Sequence, residues 1–286
     1  MRAPALALVA VLLAACGGAV APSPSPQPEP PAEAKVRLRM TAVQALPPGA
    51  TFNWLPQVLI TLDGRVLAGG AIPAIFPGPL VNPITERQLS AEGWARIVDA
   101  ARAAGLLGLN GDFTGGQMPP GSQVTRIELV ADGRLYDLRG DVGRQIVCVQ
   151  APCNAPPGTP EAFAGFASHL SDLTTLAGAA NLGPEQVHNP AGYAVLVGGP
   201  PDDQGLAQPV IEWPFAAGFA AFGKPLQDGS DGRCGSITGS DVGLVRPAFT
   251  AATQITPWRD PADKTEHGLV VRPLLPGDGD PCAGLV

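Results

Sequence analysis

Aromatic side chains make up only 5% of the 286 residues, two tyrosines among them, and histidine occurs three times. So small an aromatic stock argues against a sugar-stacking platform. The histidines, His169, His188 and His267, lie far apart in sequence and nominate no triad. Basic clusters are missing as well. Lys and Arg total 18 against 25 Asp and Glu, and the formal net charge of −7 removes nucleic acid from the expected partners. No apolar run is long enough to span a bilayer.

Familiar catalytic spacings fail one by one. Gly235-Ser236-Ile237-Thr238-Gly239 puts its serine directly after the first glycine, so it is not a Gly-x-Ser-x-Gly elbow. Gly115-Gly116 and Met118-Pro119-Pro120-Gly121 lack the strand-loop-helix setting and the Gly-Lys-Ser ending of a phosphate loop. A pair of glycosidase carboxylates would meet only in space, and nothing in the sequence nominates one.

What the chain does have begins at its N-terminus. Arg2 precedes an apolar run from Ala3 to Leu13, and small residues lead into Cys16. The stretch Leu13-Ala14-Ala15-Cys16 resembles a bacterial lipoprotein signal, which implies a diacylglyceryl group on Cys16 and cleavage before it. An ordinary secretory signal with an incidental cysteine is the alternative. The following residues alternate Pro22, Pro24, Pro26, Pro28, Pro30 and Pro31 with small and polar side chains. Such a chain favours polyproline II, at about 3.1 Å per residue, and reads as a tether reaching roughly 50 Å. The expected organisation is a signal peptide over 1–15 and a lipidated linker over 16–35. An α+β domain over 36–180 and a C-terminal α+β region over 190–286 would follow.

Cysteine usage fits an oxidising compartment. With Cys16 set aside, Cys148, Cys153, Cys234 and Cys282 form an even set, read as two disulfides. Of the three pairings, Cys148 with Cys153 and Cys234 with Cys282 keeps each bridge within one half of the chain. A zinc site is the rival, but the spacing is not that of paired Cys-x-x-Cys knuckles. The longer bridge would bring Asp228 and Asp231 beside Asp278 and Asp280, a low-affinity calcium site if the carboxylates converge and solvated loop charges if they do not.

Two hairpin-helix units are legible. Val58 to Leu62 and Val66 to Ala68 flank Asp63-Gly64-Arg65, and a helix capped by Ser90 follows, with Trp94, Ile97, Val98 and Ala101 as its stripe and Gly105 ending it. Val124 to Ala131 and Leu135 to Leu138 flank Asp132-Gly133-Arg134. A helix capped by Thr159 then carries Phe163, Phe166, Leu170, Leu173 and Leu176. This grammar suits a ββα pseudo-repeat, with antiparallel hairpins edge to edge and both helices on one face; turn chemistry shared by any two hairpins explains it equally. Val36 to Met40 alternates as a further strand. Gly178 to Pro190 reads as a connector. Beyond it, strands are expected at Tyr193 to Val197, Gln208 to Trp213 and Gly268 to Arg272, with a helix from Pro214 to Phe222 and a further helix through Gln254 that Pro247 either opens or kinks. Trp54 and Trp213 read as core residues before partner anchors.

Arg233-Cys234-Gly235, Thr256-Pro257-Trp258 and Arg272-Pro273-Leu274-Leu275-Pro276, together with the hairpins, resemble a group of uncharacterised secreted lipoproteins of GC-rich bacteria. That resemblance implies no activity, cofactor or site residue. The expected function is therefore a lipid-anchored, extracytoplasmic binding or structural module of the cell envelope. It would be held to the membrane through its lipid and open to an envelope protein partner. An envelope hydrolase with a dispersed site and an inhibitor-like module are the alternatives.

Overall fold

The computed structural model describes residues 35–46, 48–108, 110–116, 122–142, 155–202 and 205–286. The first region contains β1 (Val36–Val43), β2 (Val58–Thr61), β3 (Arg65–Gly69), β4 (Ile84–Gln88), α1 (Ala91–Ala103), β5 (Asp112–Phe113), β6 (Val124–Ala131) and β7 (Arg134–Gly140). It continues through α2 (Pro160–Ser171), α3 (Leu173–Ala177) and β8 (Gln186–Val187). The second contains β9 (Gly192–Val197), β10 (Ile211–Glu212), β11 (Lys224–Pro225), β12 (Arg233–Thr238), α4 (Asp241–Ala251), β13 (Trp258–Arg259), β14 (Glu266–His267) and β15 (Leu269–Pro273). The fold is α+β, built mainly of antiparallel sheet.

One eight-stranded sheet, ordered β5-β7-β6-β1-β2-β3-β4-β8, organises the first region. The two expected hairpins are present but not edge to edge, because β1 stands between them and pairs with both β2 and β6. Alternation in β1 sends Leu38 and Met40 to the face shared by Ile60, Ile127 and Leu129, and α1 and α2 close over that face with Ile97, Ala101, Phe163 and Leu170. Both helices thus bury their stripes in one aliphatic core.

Local signals explain the helix ends. Ser90 Oγ accepts the Gly93 N–H at 3.0 Å at the start of α1. At its end, Gly105 N–H donates to Arg102 and Leu106 N–H to Ala101, the paired bonds of a Schellman closure. The helix expected to run through Leu176 is two helices. Asp172 interrupts it, and its carboxylate accepts the Thr175 N–H at 3.2 Å, so the side chain that ends α2 caps α3.

The two Asp-Gly-Arg turns differ in geometry. At Asp132-Gly133 both residues have positive φ, 51° and 72°, and Ala131 pairs directly with Arg134, which is a two-residue type I′ turn. At Asp63-Gly64 only the glycine is left-handed, with φ 82°, and a three-residue loop closes through Gly64 N–H to Thr61 O at 3.0 Å. Glycine suits both because an L side chain resists positive φ. The shared tripeptide therefore reflects turn chemistry and not one repeated conformation.

The second region stacks a four-stranded sheet, β11-β12-β9-β15, with a small sheet, β10-β13-β14. Its core is aromatic. Trp213 lies against Phe215, Phe219, Phe222 and Trp258, and Phe249 contacts Tyr193 and Trp258 edge-on. The helix expected from Pro214 to Phe222 is reduced to a single 3₁₀ turn, Phe219–Ala221. Buried Asp260 accepts the Phe219 N–H at 2.7 Å, which fixes the chain where it seats those rings. The expected strand from Gln208 shortens to β10. The helix containing Pro247 starts at Asp241, not at the proline, and stops at Ala251. Pro247 and Gly243, the residue whose carbonyl loses its helical donor, are both exposed, so water can serve that carbonyl.

Several contacts join the regions. Leu80, from the loop between β3 and β4, is buried in the aromatic core. Leu275, from the C-terminal segment, packs with Leu59, Leu67 and Ile84 on the face of the large sheet that α1 and α2 leave uncovered. β8, inside the expected connector, is stitched to β4.

Candidate functional site

A groove of about 510 Å³ opens where the loop between β3 and β4, the segment after β8 and the end of α4 meet. The loop is rich in proline because it turns repeatedly without regular pairing. It is closed at its base by Gly70 N–H to Pro83 O at 2.8 Å, and it is pinned to α4 by Leu80 N–H to Ala252 O and Gln254 N–H to Gly78 O, each at 3.0 Å. Pro73, Pro77, Pro79 and Pro83 wall the groove, with Val81 and Ile84. Its mouth carries two of the most exposed apolar side chains of the molecule, Ile75 at 70% and Val187 at 74%.

Polar groups in the lining come from the β3–β4 loop, which supplies Asn82, from the segment after β8, which supplies His188 and Asn189, from β9, which supplies Tyr193, and from α4 and the residues that follow it. His188, its side chain 8% exposed, follows β8; its backbone N–H donates to Ile84 O at 2.9 Å, and Nδ1 lies 2.7 Å from Glu86 Oε2. Arg246 comes from α4 and donates from Nη2 to Pro190 O at 2.8 Å, while its Nε is buried with no hydrogen-bond partner. Thr250 and Thr253 complete the α4 side. Their hydroxyls are committed, Thr250 Oγ1 to Arg246 O at 2.8 Å and Thr253 Oγ1 to Gln208 Oε1 at 3.1 Å. Among the described residues no Asp or Glu lines the groove. Chemically the site offers an apolar wall, one guanidinium, one imidazole oriented by a carboxylate, two amides and a tyrosine.

A second hollow, of about 600 Å³, lies beside α3 and is lined by Arg87, Asp172 and Glu185 together with uncharged polar and aliphatic residues. Two of its polar groups already serve the fold: Arg87 Nε donates to Gly183 O at 2.9 Å, and Asp172 caps α3.

The residues singled out from sequence fall elsewhere. Cys16, Cys148 and Cys153 lie outside the described residues. Cys234 and Cys282 form the expected long disulfide, with Cα atoms 5.7 Å apart, and both are buried. The carboxylates near it do other work. Asp278 accepts Arg39 Nη1 at 3.1 Å, Arg272 Nη1 at 2.7 Å and the Leu275 N–H at 2.9 Å, so it ties the C-terminal segment to β1 and β15 and is not part of a loose tail. Asp280 accepts the Cys282 N–H at 2.9 Å. Asp228 accepts the Ser230 N–H at 2.9 Å, and its hydrogen bonds with Ser230 hold its carboxyl below the ordinary range. Asp231 is exposed. Among the described residues no group of three or more His, Cys, Asp or Glu side chains is placed to hold a metal ion.

His169 is exposed on α2, and His267 bonds Thr265 and Gly198 O away from the groove. Trp213 is core, as expected, whereas Trp54, also expected in the core, is exposed. Sequence reasoning placed His188 in a connector and passed over Arg246. No local spacing links them, since the groove is assembled from segments far apart in the chain.

No family model, curated protein or solved structure matches this chain. Among the described residues no helix is long and apolar enough to cross a membrane.

Proposed function

We propose that this protein is a lipid-anchored, extracytoplasmic module of the bacterial cell envelope whose groove beside α4 binds a ligand. The observation that carries the reading is the groove itself, a preformed apolar concavity with a few convergent polar groups, which is the usual form of a small-molecule site. The anchor rests on the lipoprotein-like sequence ending at Cys16.

Binding is favoured over hydrolysis by the state of the lining groups. The His188–Glu86 pair matches the base and orienting carboxylate of a hydrolytic triad, but the threonine hydroxyls of the groove donate to protein acceptors and not to His188.

Two measurements test this reading in cells. Cys16→Ser is expected to abolish palmitate labelling and move the protein out of the membrane fraction; unchanged labelling would refute the anchor. A photo-crosslinking residue in place of Val187, at the groove mouth, is expected to yield one defined adduct in intact envelopes. An adduct pattern identical to that from an exposed position on α2, such as Gly165, would count against a binding groove.

A further inference from the structure

Eight arginines, Arg39, Arg65, Arg96, Arg102, Arg126, Arg139, Arg259 and Arg272, are ion-paired among the described residues, each with at least one carboxylate. Arg246 is half-buried and, like Arg37, Arg87, Arg134 and Arg233, forms no ion pair among the described residues. Its single hydrogen bond goes to a carbonyl, and its Nε–H is buried without an acceptor. A guanidinium presents five donors, and a buried donor left unmade costs the desolvation that no partner repays. Carboxylates are abundant in this acidic chain, yet among the described residues none lines the groove, and Glu86, beside it, is engaged by His188. With Nε enclosed and Nη2 engaged by Pro190 O, the Nη1 end of the guanidinium is left for a ligand, and an unpaired cation in an apolar lining is complementary to a carboxylate.

The wall specifies the rest of the ligand. Six prolines line it, Pro73, Pro77, Pro79, Pro83, Pro190 and Pro273, and proline has no backbone N–H. A peptide lying as an added strand would find few donors there, whereas an alkyl chain needs none.

We infer that the groove takes an amphipathic carboxylate, with its apolar tail along the proline wall and its acid group received by Arg246. This inference rests on the reading of the groove as a ligand site. The site is not a general anion sink. An inorganic anion would leave the apolar wall and the mouth at Ile75 and Val187 wet, so the tail contributes binding that the head alone cannot.

The test uses the full chain carrying Cys16→Ser, so that no attached acyl group competes. Dansyl-labelled undecanoate and its methyl ester are titrated by fluorescence. The acid is expected to bind about tenfold or more tighter than the ester, a difference of at least about 1.4 kcal/mol. Arg246→Gln is expected to bring the acid down to the affinity of the ester and leave the ester unchanged. Arg246→Lys, which keeps the charge and loses the planar guanidinium, should fall between, and thermal melting of both variants checks that they are folded. Equal affinity of acid and ester, retention of the preference in folded Arg246→Gln, or binding of neither probe would each overturn the inference. Equal binding of both probes with mutual competition would leave the groove standing as a ligand site and remove only the acid-group claim. Loss of the Val187 adduct in cells with acid discrimination intact would do the reverse.

Discussion

The two regions of the molecule reach stability by different means. The first spreads an aliphatic core under a long sheet, with Leu38, Ile60, Ile127 and Leu129 meeting Ile97, Phe163 and Leu170. Its strands are long enough for period-two alternation to hold each residue to its face. In the second, β10, β11, β13 and β14 are two residues each. Strands that short cannot define a sheet face alone. Interlocked rings around Trp213 and Trp258 and a disulfide set the chain path in their place. Aromatics are scarce in the whole chain but concentrated here, so a low overall count concealed a dense local cluster. This packing has a cost, since both Trp213 Nε1 and Trp258 Nε1 are buried without partners.

The largest expected effect sharpens this contrast. Phe163→Ala removes a fully buried ring stacked on Phe113, and Trp258→Ala removes the fully buried centre of the second region. Each should cost about 3–5 kcal/mol by chemical denaturation. Because Leu80 and Leu275 cross between the regions, both variants should still melt in one calorimetric transition. Two separated transitions in either would show that the regions are independent.

The disulfide comes next. It closes a loop between residues 48 apart in sequence, and Cys234→Ala with Cys282→Ala should cost about 2–4 kcal/mol. The loss should appear as faster proteolysis within 224–286, with the first region protected; uniform protection of both would contradict the staple.

Asp278→Asn tests the ionic seam between the regions. The Asp278 carboxylate is mostly buried and serves Arg39 and Arg272 together, so the change strips both guanidiniums of their counter-charge and replaces the acceptor oxygen of one with an NH2 donor. A loss of about 2 kcal/mol is expected, insensitive to added calcium. If millimolar calcium raised the melting temperature of the parent protein and not of the variant, the carboxylate would be a metal ligand after all.

The smallest effect is a pH response on the exposed face of the first sheet. Hydrogen bonds from Arg126, at 2.8 and 3.0 Å, hold the Asp137 carboxyl below its ordinary value. A carboxyl with a depressed folded-state pKa contributes stability above its unfolded value, near ~3.9, and loses it as pH falls through the folded value. Asp137→Asn should therefore flatten a slight decline in stability below about pH 4 and change little at neutral pH, where screening keeps an exposed pair weak.

Much of the first region was legible beforehand because its information is local. Ser90 and Thr159 cap the helices they were expected to cap, and both Asp-Gly turns sit where hairpins close. β4 was missed because Thr85, Glu86 and Arg87 are only half-buried and show no apolar alternation. The second region was harder. Pro214 reads as a helix start, but Asp260, distant in sequence, decides how Phe219 is held, and of the two readings of Pro247 it is the one inside a helix, begun at Asp241, that the structure has.

The amino-acid order alone determined the α+β class, the two hairpins and the starts of the first two helices, because caps, turns and periodicity act over a few residues. Only the tertiary structure decided that β1 separates the hairpins, that Asp278 is bound by two arginines, and that His188 and Arg246 line one groove. Each of these is a meeting of segments distant along the chain. Such meetings depend on how faces pack after the local elements exist, and no short spacing encodes them.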